Sequence, residues 1–562
     1  MRTDGLLRRR VLALSLLLMV AGLAVVARLV QLQAVEHGRW RAAAAATQER
    51  IAEIPQRRGT ITDRSGIPLA VDVKAVAIAI DGFNMTRPET LIGILSEELG
   101  VPVSSLDERV YRESYFTWLD RGVDLTVARR VERRAADAGV HGLIFLDTWK
   151  RTYPQGDLAS NLIGFVGTDG EGLEGIELAY DDVLTGTAAQ VHLVCGADGR
   201  TYCAETIVAG SPGRDVRLTI DARFQLICEE EIDRGVARFA ANTGFVVLLD
   251  PESCDVLAMA QDRRYDLNRF GDSTPEQRRN LAVGFLFEPG SSFKALTGLA
   301  ALDCGAVDVG DEFDGNDGIL VAGHVMHNAE DESFGTVTFA EVIAKSINTG
   351  MIRVAQRVGD ERLYAFLRAL ALGERTGIGL PGEERGILRD LDDWSKLALA
   401  ATSIGQSVGV TGIQLARAIA TVANGGLLLV PRIVMAIGAD EAGDPEVVRR
   451  VAAEESCARM RELMRGVVES GTGALAAVDG YTVAGKTGTA QKAVAGRGYV
   501  DGRYTSLFAG LLPADAPAYL GLVVLDEVGT TPVWGGYTAG QIYREALSRI
   551  VATDQLPPVA AR

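Results

Sequence analysis

Ser291 and Lys294 stand at a spacing that can build a nucleophile. Ser291 follows the break Glu288-Pro289-Gly290, and Phe293, Leu296 and Leu299 then recur at helical intervals, which puts Ser291 at a helix N-terminus. Lys294 lies one turn on, on the same face, with its amine within reach of the Ser291 hydroxyl. A serine hydroxyl is a weak nucleophile unless a base takes its proton. Lysine can be that base once burial or a neighbouring cation lowers its pKa from about 10.4. A serine that only caps a core helix, followed by a lysine that snorkels to water, has the same local wording, and Ser-x-x-Lys alone does not separate the two. The chain's choice of cations favours the first reading. It has seven lysines against 50 arginines, and a guanidinium cannot release its proton, so a position that must act as a base is closed to arginine.

Two further clusters could serve the same chemistry. Thr338-Phe339-Ala340-Glu341 is a capping box that opens a short helix ending near Lys345, after which Ser346 and Asn348 are expected to project from a loop. They offer a hydroxyl for proton relay and an amide for a substrate carbonyl. Gly485-Lys486-Thr487-Gly488-Thr489 alternates like a strand, with glycines where a ligand backbone can come close, and Lys486 and Thr487 can hold an anionic substrate end. Gly480 to Thr487 also spells Gly-x4-Gly-Lys-Thr, but Tyr481-Thr482-Val483 fills what should be a flexible loop and Gly488-Thr489 stands where a helix should begin. Gly170 to Gly175 spells a dinucleotide fingerprint, but Glu171 and Glu174 would repel a pyrophosphate. Both matches are read as coincidence.

The elements that must position these residues follow from length and patterning. At 562 residues the chain exceeds one core, and roughly 150 residues per domain predicts two to four domains. Apolar residues make up 47% and charged residues 23%, which excludes wholesale disorder and a polytopic membrane protein. A net charge of -17 argues against a nucleic-acid partner. The one basic run, Arg8-Arg9-Arg10, precedes the apolar stretch Val11 to Ala27, in which only Ser15 is clearly polar. That is long enough for one span, and the arginines predict a cytoplasmic N-terminus with the rest of the chain outside the cytoplasm. An uncleaved anchor is favoured by the length of the stretch; a leader cleaved after Val25-Val26-Ala27 is the alternative.

The predicted class is α+β. Residues 1–10 form a cytoplasmic N-terminus, 11–30 a transmembrane helix and 31–50 a helical stalk. Residues 51–214 form a mixed pedestal with a small, helically patterned head insertion at about 85–149. Within it, Thr90 to Leu99 and Asp124 to Ala138 have amphipathic spacing. Residues 215–555 form a larger domain, an antiparallel sheet flanked by helices, with a hairpin Phe245–Asp250 and Val256–Ala260. Its closing elements are Thr505–Leu512, Leu520–Asp526 and the helix Ala539–Val551, and 556–562 is a tail. Cys195 and Cys203 flank a turn signal and can face each other across a hairpin, with their redox state left open. Cys228, Cys254, Cys304 and Cys457 lack metal-ligand spacing, and His324-x-x-His327 has no Cys or Glu partner, so neither metal nor cofactor is assigned.

Ser291-x-x-Lys294, Ser346-x-Asn348 and Lys486-Thr487-Gly488, in that order, form the motif set of penicillin-binding proteins and serine β-lactamases. The whole chain resembles a class B, monofunctional penicillin-binding protein. Arg58-Gly59-Thr60-Ile61-Thr62-Asp63-Arg64-Ser65-Gly66, Tyr153-Pro154, Gly164-Phe165, Gly172-Leu173-Glu174-Gly175-Ile176-Glu177, Gly405-Gln406 and Ala423-Asn424-Gly425-Gly426 carry the likeness further.

The resemblance implies a pedestal of the dimerisation type and a peptidoglycan D,D-transpeptidase domain. In it Ser291 acylates on a peptide stem, Lys294 is the base, and Ser346 and Lys486 form the proton path. It also implies that Asn348 meets the substrate amide and that Lys486, Thr487, Gly488 and Thr489 bind the donor end. The N–H groups of Ser291 and Thr489 would form the oxyanion hole, and penicillins would acylate Ser291. The likeness favours the division-type enzyme over the elongation type, with a membrane-embedded glycan polymerase of the shape, elongation, division and sporulation family and other division proteins as partners. Ile347 and Gly412 depart from the family's usual wording. Neither a glycosyltransferase domain before the pedestal nor a PASTA repeat after residue 555 is expected. Rival readings are a D,D-carboxypeptidase or β-lactamase, and a non-catalytic sensor or division scaffold. The class A lactamase version needs Glu-x-x-x-Asn, and Asn424 has Ala420 four residues before it.

Overall fold

The computed structural model describes residues 4–41, 49–82, 85–112, 117–195, 201–494 and 498–558. The chain divides into two compact units, residues 1–57 with 186–213, and residues 58–185 with 214–562.

The first unit opens with the helix Asp4–Val30, which continues into a π turn, Gln31–Val35. Leu7–Val35 is long and apolar enough to cross a bilayer, and its most apolar 18-residue window has a mean hydropathy of 2.4. None of the described side chains of this stretch is buried. Of the helical stalk expected over 31–50, residues 31–35 and 37–41 are helical; 42–48 lie outside the described residues and Glu49–Ile54 is a strand. The alanine-rich run favours helix locally, whereas this strand is set by pairing with the distant Ala189–Cys195, which no local propensity reports. Ala189–Cys195 also forms the expected hairpin with Thr201–Val208, with Cys203 opposite Val194 and Cys195 opposite Thr201. The turn 196–200 and both thiols lie outside the described residues.

In the second unit the long strand Pro68–Ile80 pairs with Leu143–Thr152 on one side and Thr117–Asp124 on the other. The helices Pro88–Leu99, Val103–Val110 and Leu125–Asp137 close over it around Ile78, Ile80, Leu91, Leu95, Leu106 and Val131. The head expected to be helical therefore contains two strands as well. Asp120, Arg121, Asp147 and Lys150 interrupt them, so no clean period of two marks them in the sequence.

A five-stranded antiparallel sheet runs through the remainder, in the order Val256–Gln261, Thr243–Leu249, Tyr519–Asp526, Gly498–Leu512, Ala484–Val494. Thr243–Leu249 and Tyr519–Asp526 are buried at every residue because helices cover both faces of the sheet. Val246 and Leu248 pack with Ile232, Ile542 and Leu547 of the helices Ala222–Phe239 and Ala539–Thr553. Phe245, Val247 and Leu249 share a second core with Leu296, Leu299 and Ile413. Period-two alternation thus splits one strand between two cores. The second core also takes in Ile61, Leu69 and Ile176, so residues 58–185 and the sheet domain share it without a break. Cys228, Cys254 and Cys457 are buried free thiols, and Cys304 is an exposed one.

Candidate active site

Gly290–Phe293 make one 3-10 turn that runs into the helix Lys294–Asp303, so Ser291 stands at the mouth of a buried helix as expected. Glycine is needed at 290 for two reasons. Its φ is +52°, and a Cβ there would come 2.9 Å from the Thr489 carbonyl oxygen. That close approach seats Ser291 beside the strand Ala484–Val494. Of the two adjacent serines only Ser291 is partly exposed; Ser292 is buried and its hydroxyl donates to the Pro289 carbonyl at 2.8 Å.

Lys294 is completely buried. Its Nζ donates to the Ser346 carbonyl at 2.5 Å and to Asn348 Oδ1 at 2.7 Å, and lies 3.2 Å from Ser346 Oγ. Among the described residues no hydrogen bond joins it to the Ser291 hydroxyl. The one-turn spacing sets the two side chains on one face, but the carbonyl-type acceptors draw the amine toward Ser346. Burial, and after it the charge of Lys486, hold Lys294 well below the ordinary lysine value; burial brings Lys486 down to about 7.

Thr338 and Glu341 form the expected capping box, and the helix they start, Phe339–Ala344, stops just before Ser346, whose φ is +59°. This left-handed turn costs on the order of 1 kcal/mol for a non-glycine residue and directs both the carbonyl and the hydroxyl of Ser346 toward Lys294. Asn348 is not in a loop, contrary to expectation. It is the first residue of the helix Asn348–Val358, a start concealed in the sequence because Ile347 at the N-cap has no capping side chain. Asn348 Nδ2 donates to the His327 carbonyl at 2.8 Å. The His327 ring pairs with Asp317 at 2.8 Å, an exposed contact that raises the His327 pKa.

Lys486 is also fully buried, on the strand Ala484–Val494 opposite Ala509. Its Nζ donates to Ser346 Oγ at 2.9 Å and to the Thr487 carbonyl at 3.2 Å. The Ser346 hydroxyl therefore sits between two buried amines. Lys486-Thr487 run on along a strand and not into a helix, which removes the phosphate-loop reading.

Thr487 shares a hydrogen bond with the Thr472 hydroxyl at 2.7 Å, and Thr489 Oγ1 accepts from the Gly535 N–H at 3.0 Å. Gly488 leaves room for the Ser291 turn: a Cβ there would lie 2.8 Å from the Pro289 carbonyl oxygen. Nothing in the sequence marks Thr472 and Gly535, whose Gly-Thr and Gly-Gly settings read as ordinary turns. The unusual Gly412 has a local cause, since a Cβ there would meet the Phe245 ring at 2.4 Å. The expected residues Ser291, Lys294, Ser346, Asn348, Lys486, Thr487, Gly488 and Thr489 thus converge from three segments on one site.

The penicillin binding protein transpeptidase domain family matches residues 244–548, and the penicillin-binding protein dimerisation domain family matches residues 53–218. The probable peptidoglycan D,D-transpeptidase PbpC of Pseudomonas aeruginosa is 32% identical, over 96% of this chain and 94% of its own. Stage V sporulation protein D of Bacillus subtilis is 31% identical, over 88% of this chain and 78% of its own. Among solved structures, penicillin binding protein 3 of Mycobacterium tuberculosis in complex with aztreonam aligns with a TM-score of 0.71 at 28% identity. The alignment spans 90% of this chain and 98% of that one.

Proposed function

Because this chain belongs to the penicillin-binding protein transpeptidase family, a family of serine-type enzymes that cross-link peptidoglycan, we propose that Ser291 is its nucleophile and that Lys294, Ser346 and Lys486 move its proton. The observation that carries this reading is the Ser346 hydroxyl held between Lys294 and Lys486.

The steps follow from the donor inventory. A neutral lysine amine has two N–H groups and one lone pair. The Lys294 N–H groups go to the Ser346 carbonyl and Asn348 Oδ1, neither of which can donate, so its lone pair is left to take the Ser291 proton. Ser291 Oγ attacks the carbonyl of the penultimate D-Ala of a donor stem. The C–N bond to the terminal D-Ala breaks, and the leaving nitrogen receives its proton through the Ser346 hydroxyl with Lys486 behind it. An amine of a neighbouring stem then attacks the ester carbonyl and gives its proton to the Ser346–Lys486 path, and the C–O bond to Ser291 breaks as Lys294 returns the proton to Oγ. The Ser291 and Thr489 N–H groups serve the oxyanion, where losing one donor costs roughly 3 kcal/mol of transition-state stabilisation. Lys486, Thr487, Gly488 and Thr489 receive the anionic donor end, and the second N–H of Asn348 Nδ2 is available to the substrate amide. A β-lactam presents the same acyl carbonyl to the same serine.

Division over elongation as the cellular role, a cytoplasmic N-terminus in the inner membrane, and a membrane-embedded glycan polymerase with other division proteins as partners belong to the same proposal. The motif wording around Asp63, the arginines before the apolar helix and that helix itself support them. Incubating the full chain in detergent with a stem-peptide donor and an amine acceptor tests the reaction. A cross-linked product is expected. Release of D-Ala with hydrolysis alone would make the chain a carboxypeptidase, and no release would make it a sensor or scaffold.

A further inference from the structure

The Asn348 side chain has one donating end and one accepting end, and a main-chain atom outside the three motifs decides which of them meets Lys294. The His327 carbonyl can only accept. It takes an N–H from Asn348 Nδ2 at 2.8 Å, which leaves Oδ1 to face Lys294 Nζ at 2.7 Å. With the amide turned over, two oxygens would meet at one end and two N–H donors at the other.

The place of the His327 carbonyl rests in turn on its neighbour. Asn328 is 5% exposed, and its side chain is fully engaged. Nδ2 donates to the carbonyls of Gly315 at 3.0 Å and Glu332 at 2.8 Å, while Oδ1 accepts from the Thr349 N–H at 3.0 Å. Its own N–H donates to Asp317 Oδ1 at 2.7 Å. The Thr349 N–H is a first-turn donor of the helix Asn348–Val358, which Ile347 at the N-cap cannot satisfy. Asn328 supplies the missing acceptor from another segment. One side chain thus ties both arms of the segment 315–332 to the turn that presents Asn348.

We propose that Asn328 is a positioning residue for the Ser291 reaction, fixing the His327 carbonyl where it orients Asn348 Oδ1 toward Lys294. The inference rests on the roles given to Lys294 and Asn348 above. Asn328 acts through Asn348, so its effect disappears when Asn348 is absent, whereas a merely structural role would persist.

A double-mutant cycle on the full chain in detergent reads this. Covalent labelling by a fluorescent penicillin is timed per titrated active site for Asn328→Ala, Asn348→Ala and the double variant, beside their melting curves. Asn328→Ala is expected to slow labelling roughly tenfold in the parent chain and less than about twofold once Asn348 is alanine. Equal slowing in both backgrounds, or none in the parent, overturns the inference and leaves the Ser291 assignment standing. An Asn348→Ala variant that labels at the parent rate overturns the role given to Asn348 and the inference with it. Should Asn328→Ala not fold, Asn328→Asp keeps the acceptor for Thr349 and loses both side-chain donations; it enters the same cycle with the same expectations.

Discussion

Lys486 Nζ lies 2.9 Å from Ser346 Oγ, although 140 residues separate them in the chain. Lys294 reaches the same hydroxyl from 52 residues on its other side in sequence, at 3.2 Å. Two amines this deeply buried and this close cannot both hold a proton cheaply, and each disfavours the charge of the other. The lowered lysine pKa values are therefore a property of the fold, produced where three segments meet.

Lys294→Arg replaces the proposed base with a group that cannot release its proton. Penicillin labelling is expected to slow by about two to four orders of magnitude, the usual contribution of a general base. A stopped-flow or gel time course measures it, and labelling at the parent rate would exclude Lys294 as the base.

Ser346→Gly separates strain from chemistry. Glycine adopts φ near +59° without a Cβ penalty and keeps the carbonyl that Lys294 bonds, so the melting midpoint should hold or rise while labelling drops about a hundredfold. Loss of both stability and labelling would mean that the hydroxyl is structural.

The burial of Lys486 has a pH signature. Its amine titrates at about 7 in the folded chain, against about 10.4 when unfolded. Between those values the unfolded chain binds the extra proton, so this group's contribution to stability rises with pH. The parent chain should gain melting temperature relative to Lys486→Met from about pH 7 to about pH 10, and little below that window. A difference constant across the range would contradict it.

Glu177 is fully buried between Arg58 and Arg151, each 2.7 Å away. Glu177→Gln removes the carboxylate that the two guanidinium groups share but leaves Asp181 to Arg58 and Asp72 to Arg151, and should destabilise the second unit by about 1 to 3 kcal/mol. Labelling per folded active site should be unchanged. Urea unfolding followed by active-site titration checks both halves.

The site was more legible in the sequence than the ground it stands on. Ser291, Lys294, Ser346 and Lys486 could be picked out because each is a residue type whose chemistry few others replace. The sheet strands around them alternate or run apolar, as burial on both faces demands. What stayed hidden depends on contacts between distant segments. The strand Glu49–Ile54 exists through its pairing with Ala189–Cys195, and the charged head strands through Pro68–Ile80. Thr472, Gly535 and Asn328 look like any turn residues until Thr487, Thr489 and Thr349 lie against them. Asn348 joins the expected cluster from a helix and not from a loop, because that helix is capped by a side chain from elsewhere in the chain.

The most direct measurement is mass spectrometry of the peptide containing Ser291 after the full chain has met a penicillin, with Ser291→Ala beside it. The expected result is one adduct per chain, on Ser291, and none in the Ser291→Ala variant. An adduct on Ser292 or Ser346, or labelling that survives Ser291→Ala, would contradict the assignment of Ser291 as the nucleophile.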